Sequence, residues 1–264
     1  MDYQELCRDV CGVVRETGGY IENESALRTD LVVEEKGQQD YVTKTDKGAE
    51  ERLVKGLSEL MPEAGFITEE GTNNKKGELF NWIIDPLDGT TNFIHGLPPY
   101  AISVALIEKN EIVVGVVFEI GFRDMFYAWK GSKAFMNGKE IHVTRTGKVR
   151  DSLIATGFPY TNFSRMNGFM ETMDYFMKNS HGLRRLGSAA TDIAYIACGR
   201  FDAFYEYGLN AWDVAAASLI LKQAGGKVSD FKGGDNYLFG GEIVASNAQI
   251  FDEFQKLIRD FMSD

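Results

Sequence analysis

The stretch that most constrains this chain is residues 82–93, which read W-I-I-D-P-L-D-G-T-T-N-F. It opens with three apolar residues, as is typical of the end of a buried strand. Pro86 has a fixed φ and no N–H, so it predicts that the chain leaves the sheet there and turns. Asp85 and Asp88 flank this turn, and two carboxylates so close repel each other unless one is protonated or a cation lies between them. The stretch therefore predicts two adjacent acids at the edge of a sheet.

The residues after Asp88 predict a helix start beside those acids. Gly89 allows the backbone to approach a ligand closely, and free N–H groups at a helix start suit an anion such as phosphate. An acidic surface turn is the alternative interpretation, because Asp, Pro and Gly are ordinary turn residues. An apolar run that ends directly in Asp, with Thr-Thr-Asn after the glycine, favours a metal site beside a phosphate site.

Two stretches together resemble a known family. Residues 82–93 are similar to the signature of the inositol monophosphatase family, which hydrolyses phosphate esters with Mg²⁺. Residues 212–226 read W-D-V-A-A-A-S-L-I-L-K-Q-A-G-G and resemble the second motif of that family, although Asp213 alone is also a plausible helix N-cap. Two matches more than a hundred residues apart, in the expected order, support each other. The resemblance covers essentially the whole chain.

The resemblance implies a site for two or three Mg²⁺ ions. The implied ligands are four carboxylates and one backbone carbonyl, those of Glu69, Asp85, Leu87, Asp88 and Asp213. Asp85 is best placed to bridge two ions. Glu69 follows a short apolar strand, and without the resemblance its Glu-Glu-Gly would predict a solvated turn. Oxygen ligands of this kind are the ones that Mg²⁺ prefers.

The same resemblance implies roles in catalysis and in substrate binding. The implied catalytic residues are Glu69, Asp46, Thr90 and Asp85, of which Thr90 and Asp46 orient the attacking water. The implied substrate-binding residues are Asp88, Gly89, Thr90, Gly187, Ser188, Ala189, Glu206 and Asp213, of which Glu206 accepts hydrogen bonds from polyol hydroxyls. The residue pattern alone explains Asp46 as the N-cap of a helix over 46–60 and the small residues at 187–190 as tight packing. No serine, cysteine or histidine has a setting typical of a nucleophile, so we expect direct attack by water without a phosphoenzyme.

The order of elements predicts an α/β fold. Runs at 100–107 and 111–120 predict a hairpin, and further short strands with a turn at Asn137-Gly138 continue it as a meander. We expect an N-terminal α+β half, residues 1–150, with a mostly antiparallel sheet, Glu69 and the D-P-L-D-G-T motif. A C-terminal α/β half, residues 151–264, then carries Glu206 and the W-D motif. The resemblance implies a layered αβαβα sandwich of the sugar-phosphatase type.

Charge and composition limit the partners. The 264 residues carry a net charge of −11, and such a surface repels nucleic acid and anionic membranes. No apolar run approaches the ~20 residues of a membrane span, and the first residues lack the pattern of a signal peptide. Three cysteines are too few for a disulfide framework. We therefore expect a cytoplasmic protein without nucleic-acid or membrane partners, and the resemblance implies a homodimer and inhibition by lithium.

The expected function is Mg²⁺-dependent hydrolysis of a small polyol phosphate monoester by metal-activated water, with myo-inositol monophosphate as the first candidate. Histidinol phosphate, fructose 1,6-bisphosphate and 3′-phosphoadenosine 5′-phosphate are alternative substrates for an enzyme of the same class. A binding role is an alternative of another class, because a bacterial relative in the family is a partner of the transcription machinery. A passive cation binder, which takes up metal without releasing phosphate, is a third.

Overall fold

The computed structural model describes residues 1–26, 33–37, 40–73, 75–160 and 162–262. The helices in these ranges are α1 Tyr3–Ala26, α2 Lys44–Leu60, α3 Thr90–His95, α4 Met166–Asn179, α5 Ala189–Ala197, α6 Ala211–Gln223 and α7 Phe251–Met262. The strands are β1 Val33–Gly37, β2 Asp40–Thr43, β3 Gly65–Thr68, β4 Phe80–Asp88, β5 Ala101–Glu108, β6 Glu111–Glu119, β7 Asp124–Trp129, β8 Ala134–Met136, β9 Lys139–Ile141, β10 Leu153–Thr156, β11 Gly182–Arg184, β12 Ala203–Tyr207, β13 Gly226–Ser229 and β14 Glu242–Asn247.

The first large sheet has seven strands in the order β3-β4-β5-β6-β7-β8-β9. Only β3 and β4 pair in parallel, and the others form the predicted antiparallel meander. The turn between β8 and β9 is made by Asn137 and Gly138, which both have positive φ, at 51° and 82°. Asn-Gly adopts this conformation readily, and its twist matches that of the two strands. The hairpin and meander predictions are confirmed.

The second large sheet has five strands in the order β11-β10-β12-β14-β13. β10 is parallel to both β11 and β12, whereas β14 is antiparallel to β12 and β13. The two edge strands, Gly-Leu-Arg and Gly-Lys-Val-Ser, were absent from the sequence prediction. Each has too few apolar residues to show the alternation that predicts a strand.

The two sheets and the helices form five layers. α1 and α2 cover one face of the seven-stranded sheet, and α5 and α6 fill the space between the two sheets. α4 and α7 cover the outer face of the five-stranded sheet. This is the αβαβα order that the resemblance implies. The two sheets lie on either side of the central helical layer formed by α5 and α6.

The strand β4 is buried on both faces. Trp82 and Ile84 belong to the core beneath α1 and α2, whereas Ile83 belongs to the central core. A strand covered on both sides shows a continuous apolar run rather than an alternating one, which explains the W-I-I sequence. The central helix α6 lies close to this sheet, because a Cβ on Gly115 would come within 2.6 Å of the Ala216 carbonyl oxygen.

The division of the chain at residue 150 stays a prediction. It falls between β9, the last strand of the first sheet, and β10, the first strand of the second. The central core contains residues from both sheets, so the two halves share one apolar interior. None of the described helices has the length and apolar character needed to cross a membrane.

Candidate active site

Three aspartates from two distant segments converge at one end of the first sheet. Asp85 and Asp88 lie on β4, and Asp213 lies in the first turn of α6. One carboxylate oxygen from each lies within 4.8 Å of the other two. The prediction that the chain leaves the sheet at Pro86 is wrong, because β4 continues to Asp88 with an irregular register between the two aspartates. That bulge, in which proline loses no ladder hydrogen bond, directs both acids towards the same space.

The first turn of α6 holds the Asp213 carboxylate in place. Asn210 is the N-cap, and the Asp213 carboxylate accepts the Asn210 N–H at 2.6 Å in a capping box. The N-cap interpretation of Asp213 is therefore wrong by three positions, although its carboxylate still binds the helix start. The Ser103 hydroxyl on β5 donates to the Trp212 carbonyl at 2.9 Å. This contact ties the start of α6 to the first sheet beside Asp85.

Glu69 extends the acidic cluster on the side of Asp85. It follows β3, which pairs in parallel with β4, and its N–H donates to the Ile84 carbonyl at 3.3 Å. Its carboxyl group hydrogen-bonds that of Asp85, but it lies outside the set of three aspartates that share one space. Because parallel neighbours end at the same edge of a sheet, Glu69 and Asp85 lie together at that edge.

The acidic cluster is electrostatically costly. Burial raises the pKa of Asp85 well above its usual range, and the charges of Glu69, Asp88 and Asp213 raise it further. Burial and the charge of Asp88 raise the pKa of Asp213 to about 7. A divalent cation would relieve this repulsion, and a donor set made only of oxygens suits a hard cation such as Mg²⁺.

Asp88 also connects the two sheets. Its Oδ2 accepts the Ser188 hydroxyl at 2.7 Å and the Ala190 N–H at 2.8 Å, at the start of α5. Burial raises the pKa of Asp88 to about 6, although the donors of Ser188, Ala190 and Ala189 favour its charged form. Ser188 is buried and its hydroxyl contacts Asp88 and Thr191. The substrate-binding role that the resemblance implies for Ser188 rests on the backbone of this segment and stays a prediction.

Asp46 and Thr90 form a pair beneath the cluster. The N-cap of α2 is Thr43, and Asp46 accepts the Thr43 N–H at 2.8 Å and its hydroxyl at 2.5 Å, so the N-cap interpretation of Asp46 is wrong. The Thr90 hydroxyl lies 3.0 Å from Asp46 Oδ1 and 3.1 Å from the Leu87 carbonyl oxygen. A hydroxyl has one proton, so it donates to one of these acceptors and keeps its lone pairs for another donor.

Gly89 lies at the contact between the two halves. It is the N-cap of the short helix α3, with φ at +92° in the left-handed region. A Cβ there would lie 3.1 Å from the carbonyl oxygens of Gly187 and Pro99. Any other residue would therefore be strained in its backbone and crowded by two peptide groups.

These residues surround a cavity of about 340 Å³. It is lined by Glu69, Asp88, Gly89, Thr90, Thr91, Tyr160, Arg185, Gly187, Ala189, Glu206, Tyr207, Gly208, Leu209, Asn210, Trp212 and Asp213. Asp85, Asp46 and Leu87 lie buried outside this lining. Glu206 lies near the end of β12 and lines the cavity, and its pKa is raised well above the usual range by burial and by Asp213.

Arg185 is the main cavity residue that the sequence did not predict. Its guanidinium lies over the rings of Phe158 and Tyr160 and donates to the Tyr160 hydroxyl. Its charge favours the ionised forms of Asp88 and Glu206. The adjacent Arg184 is exposed. The Leu-Arg-Arg-Leu sequence therefore indicates a positively charged side chain in this region, but it does not indicate which of the two arginines lines the cavity.

Glu50 holds the segment that carries Glu69, a role that the sequence analysis did not predict. Glu50 is fully buried, and its Oε2 accepts the Glu70 N–H at 2.8 Å. Its Oε1 accepts the Thr72 N–H at 2.8 Å and the Thr72 hydroxyl at 2.7 Å. One carboxylate thus binds both sides of the turn that follows β3.

Replacing Glu50 by glutamine is expected to weaken divalent-cation binding about tenfold and to lower the free energy of unfolding by about 1–3 kcal/mol. An amide has one acceptor oxygen, so at least one donor of the 70–72 turn would face an NH₂ group. Isothermal titration with Mg²⁺ and urea unfolding measure the two effects. The exposed neighbour Glu51 gives the control, Glu51→Gln, which should change neither quantity. Wild-type Mg²⁺ affinity in Glu50→Gln would contradict the assigned role.

The chain resembles known proteins over nearly its full length. It matches the family described as the inositol monophosphatase family over residues 2–262. It is 40% identical over 235 residues to an inositol-1-monophosphatase of Mesorhizobium japonicum, covering 89% of this chain and 88% of that one. It is 38% identical over 251 residues to the Nus factor SuhB of Pasteurella multocida, covering 95% and 94%. An IMPase structure from Thermotoga maritima superposes with a TM-score of 0.88 at 34% identity, covering 100% of this chain and 99% of that one.

These matches confirm the sequence-based resemblance, the α/β fold class and the expected enzyme class, a phosphoric monoester hydrolase. The roles of individual site residues and the identity and number of the ions stay predictions. Family membership and the acidic cluster of Asp85, Asp88 and Asp213 agree on metal-dependent chemistry. The chain belongs to the inositol monophosphatase family.

Proposed function

We propose that this protein hydrolyses the phosphate monoester of a small polyol, with myo-inositol monophosphate as the first candidate substrate. The observation that carries the proposal is the convergence of Asp85, Asp88 and Asp213 within 4.8 Å at the edge of a polar cavity. The name of the Mesorhizobium relative supports an inositol phosphate as substrate. Two or three Mg²⁺ ions would be held by four carboxylates and one carbonyl, those of Glu69, Asp85, Leu87, Asp88 and Asp213.

Bound Mg²⁺ would supply charge neutralisation for the phosphate and would make the attacking water more acidic. The chain itself positions that water, because Thr90 keeps a lone pair free to accept one of its protons while donating to Asp46 or to the Leu87 carbonyl. Burial raises the pKa of Asp46, and the donors of Thr43 and Thr90 oppose that rise and favour the carboxylate. The pair therefore holds the water through a fixed hydrogen-bond chain.

The phosphate and the polyol bind on opposite sides of the cavity. The N–H groups of Gly89 and Thr90, at the start of α3, face the phosphate side together with Asp88 and Asp213. Glu206 accepts hydrogen bonds from the polyol hydroxyls, and Gly187 and Ala189 line the cavity between the two sides. The described lining residues include no serine, cysteine or histidine, which supports direct attack by water without a phosphoenzyme.

A panel of phosphate monoesters, assayed for phosphate release with and without Mg²⁺, tests this function. The expected result is Mg²⁺-dependent release with the highest kcat/KM on inositol monophosphate, at least about tenfold above histidinol phosphate, fructose 1,6-bisphosphate and 3′-phosphoadenosine 5′-phosphate. Addition of lithium is expected to inhibit the reaction. Equal rates on inositol and histidinol phosphates would contradict the polyol assignment, and metal uptake without phosphate release would contradict the enzyme assignment.

A protein-binding role is the second candidate, and the relatives named Nus factor SuhB favour it. The two roles differ in their dependence on the acidic cluster. A pull-down of RNA polymerase with wild-type protein and with Asp85→Asn separates them, because a pure binding role survives the loss of a metal ligand. We also propose the homodimer that the resemblance implies, which size-exclusion chromatography with light scattering would test.

A further inference from the structure

Gly157 and Glu206 lie side by side where β10 ends against its parallel neighbour β12. β10 pairs in parallel with β12, and the last registered pair is Thr156 with Tyr205. Gly157 is the first residue after β10, and Glu206 is the next residue of β12. The Thr156 hydroxyl donates to the Tyr205 carbonyl at 2.8 Å and holds the two strand ends together. The backbone of Gly157 therefore has a fixed position relative to Glu206.

The Glu206 carboxyl group occupies the place that a side chain at position 157 would take. A Cβ built on Gly157 would lie 1.9 Å from Glu206 Cδ and 1.9 and 2.0 Å from its two carboxylate oxygens. The backbone of Gly157 is not in the left-handed region, so alanine would fit its conformation. The three heavy atoms nearest to such a Cβ all belong to the Glu206 carboxyl group.

Little else defines the position of this carboxylate. Across the described parts of the chain, no hydrogen bond to the Glu206 carboxyl oxygens occurs, although the residue is only 7% exposed. The attraction of Arg185 acts on it across the cavity. The backbone of Gly157 is thus a steric restraint that lies directly against the Glu206 side chain.

We propose that Gly157 is a positioning residue for substrate recognition, which sets the place of the Glu206 carboxylate by lacking a side chain. The inference rests on the proposed function of Glu206 as the acceptor for polyol hydroxyls. A methyl group at position 157 would move the end of a flexible side chain rather than a strand, so the fold should tolerate it. The displaced carboxylate would then no longer accept hydrogen bonds from the polyol hydroxyls. The acidic cluster and the phosphate side of the cavity would keep their geometry.

The test is Gly157→Ala, assayed on inositol monophosphate and on p-nitrophenyl phosphate, which has no hydroxyl groups for Glu206 to bind. We expect kcat/KM on inositol monophosphate to fall about tenfold, as for loss of a hydrogen bond to a charged group, and that on p-nitrophenyl phosphate to stay within about twofold. The control is Gly12→Ala on α1, where a Cβ meets nothing within 4 Å, and it should behave as wild type on both esters.

A double-mutant cycle separates positioning from a general structural effect. Glu206→Ala removes the overlapping carboxylate, so adding Gly157→Ala to it should cause no further loss on inositol monophosphate. Equal losses on both esters, or additive losses in the double variant, would overturn the inference.

The position of the carboxylate gives a readout that is independent of activity. In crystal structures of the wild type and Gly157→Ala, the Glu206 carboxylate is expected to shift by about 1 Å or more, since real Cβ atoms do not approach other atoms so closely. An unchanged carboxylate overturns the inference. If the wild type releases phosphate from neither ester, the proposed function fails, whereas a shifted carboxylate would still support the positional part.

Discussion

Replacing Asp85 by asparagine is expected to reduce phosphate release by a factor of about 10³ or more and, at the same time, to stabilise the metal-free protein. The activity falls because Asp85 is fully buried at the centre of the cluster, in contact with Glu69 and within reach of Asp88 and Asp213. If Asp85 is a central ligand, as proposed, its loss would weaken both ion binding and the alignment of the reactants. The same change removes a charge that neighbouring carboxylates repel. The free energy of unfolding of the metal-free protein should therefore rise by about 1–2 kcal/mol at pH 8.

A buried aspartate in an attractive setting gives the matched control for this variant. Asp124 on β7 accepts from Arg200 at 2.7 Å and from the Asn137 amide at 2.9 Å, away from the cavity lining. Asp124→Asn is expected to keep the activity and to lower the free energy of unfolding, the reverse of Asp85→Asn. Initial rates with Mg²⁺ and urea unfolding in EDTA measure both properties. If Asp85→Asn destabilises the metal-free protein as Asp124→Asn does, the acidic cluster is not under electrostatic strain.

The sequence predicted which acids belong to the site, but it did not predict their positions at the helix starts correctly. Thr43 and Asp46, like Asn210 and Asp213, are both good N-cap residues, and in each pair the first is the cap and the second is the third helical residue. The spacing of a polar cap followed three residues later by an acid is that of a capping box, so this signal was present in the sequence. The capping box leaves the second carboxylate oxygen of Asp46 free to accept from Thr90.

Other features had no such signal. The convergence of Asp85 with Asp213 depends on how α6 packs between the sheets, and only the family resemblance made it predictable. The role of Gly157 depends on the position of the Glu206 side chain in space, since a glycine after a strand predicts only a turn. Glu50, in the middle of α2, lies on the same buried face as Leu53, but a glutamate is usually exposed, and only the structure shows that the turn after Glu69 binds its carboxylate.

The metal-free protein is expected to lose stability as the pH rises from 5 to 8. Burial raises the pKa of Asp88 to about 6 and that of Asp213 to about 7, so the native state holds protons that the unfolded chain has released above pH 4. Stability therefore falls with rising pH until both folded-state pKa values are passed. Both side chains are partly open to the cavity, so solvent screening limits the loss to roughly 3 kcal/mol.

Magnesium is expected to reverse this dependence, because carboxylates must be deprotonated to bind a cation. The urea midpoint with 10 mM Mg²⁺ minus that in EDTA, at matched ionic strength, should therefore increase from pH 5 to pH 8. Ionisable groups away from the acidic cluster should titrate alike in the two conditions, so the difference isolates the acidic cluster. Equal stabilisation by Mg²⁺ at both pH values would mean that Asp88 and Asp213 are already ionised in the metal-free fold. The repulsion that makes the empty cluster costly at neutral pH is thus the same property that would give it affinity for the ion.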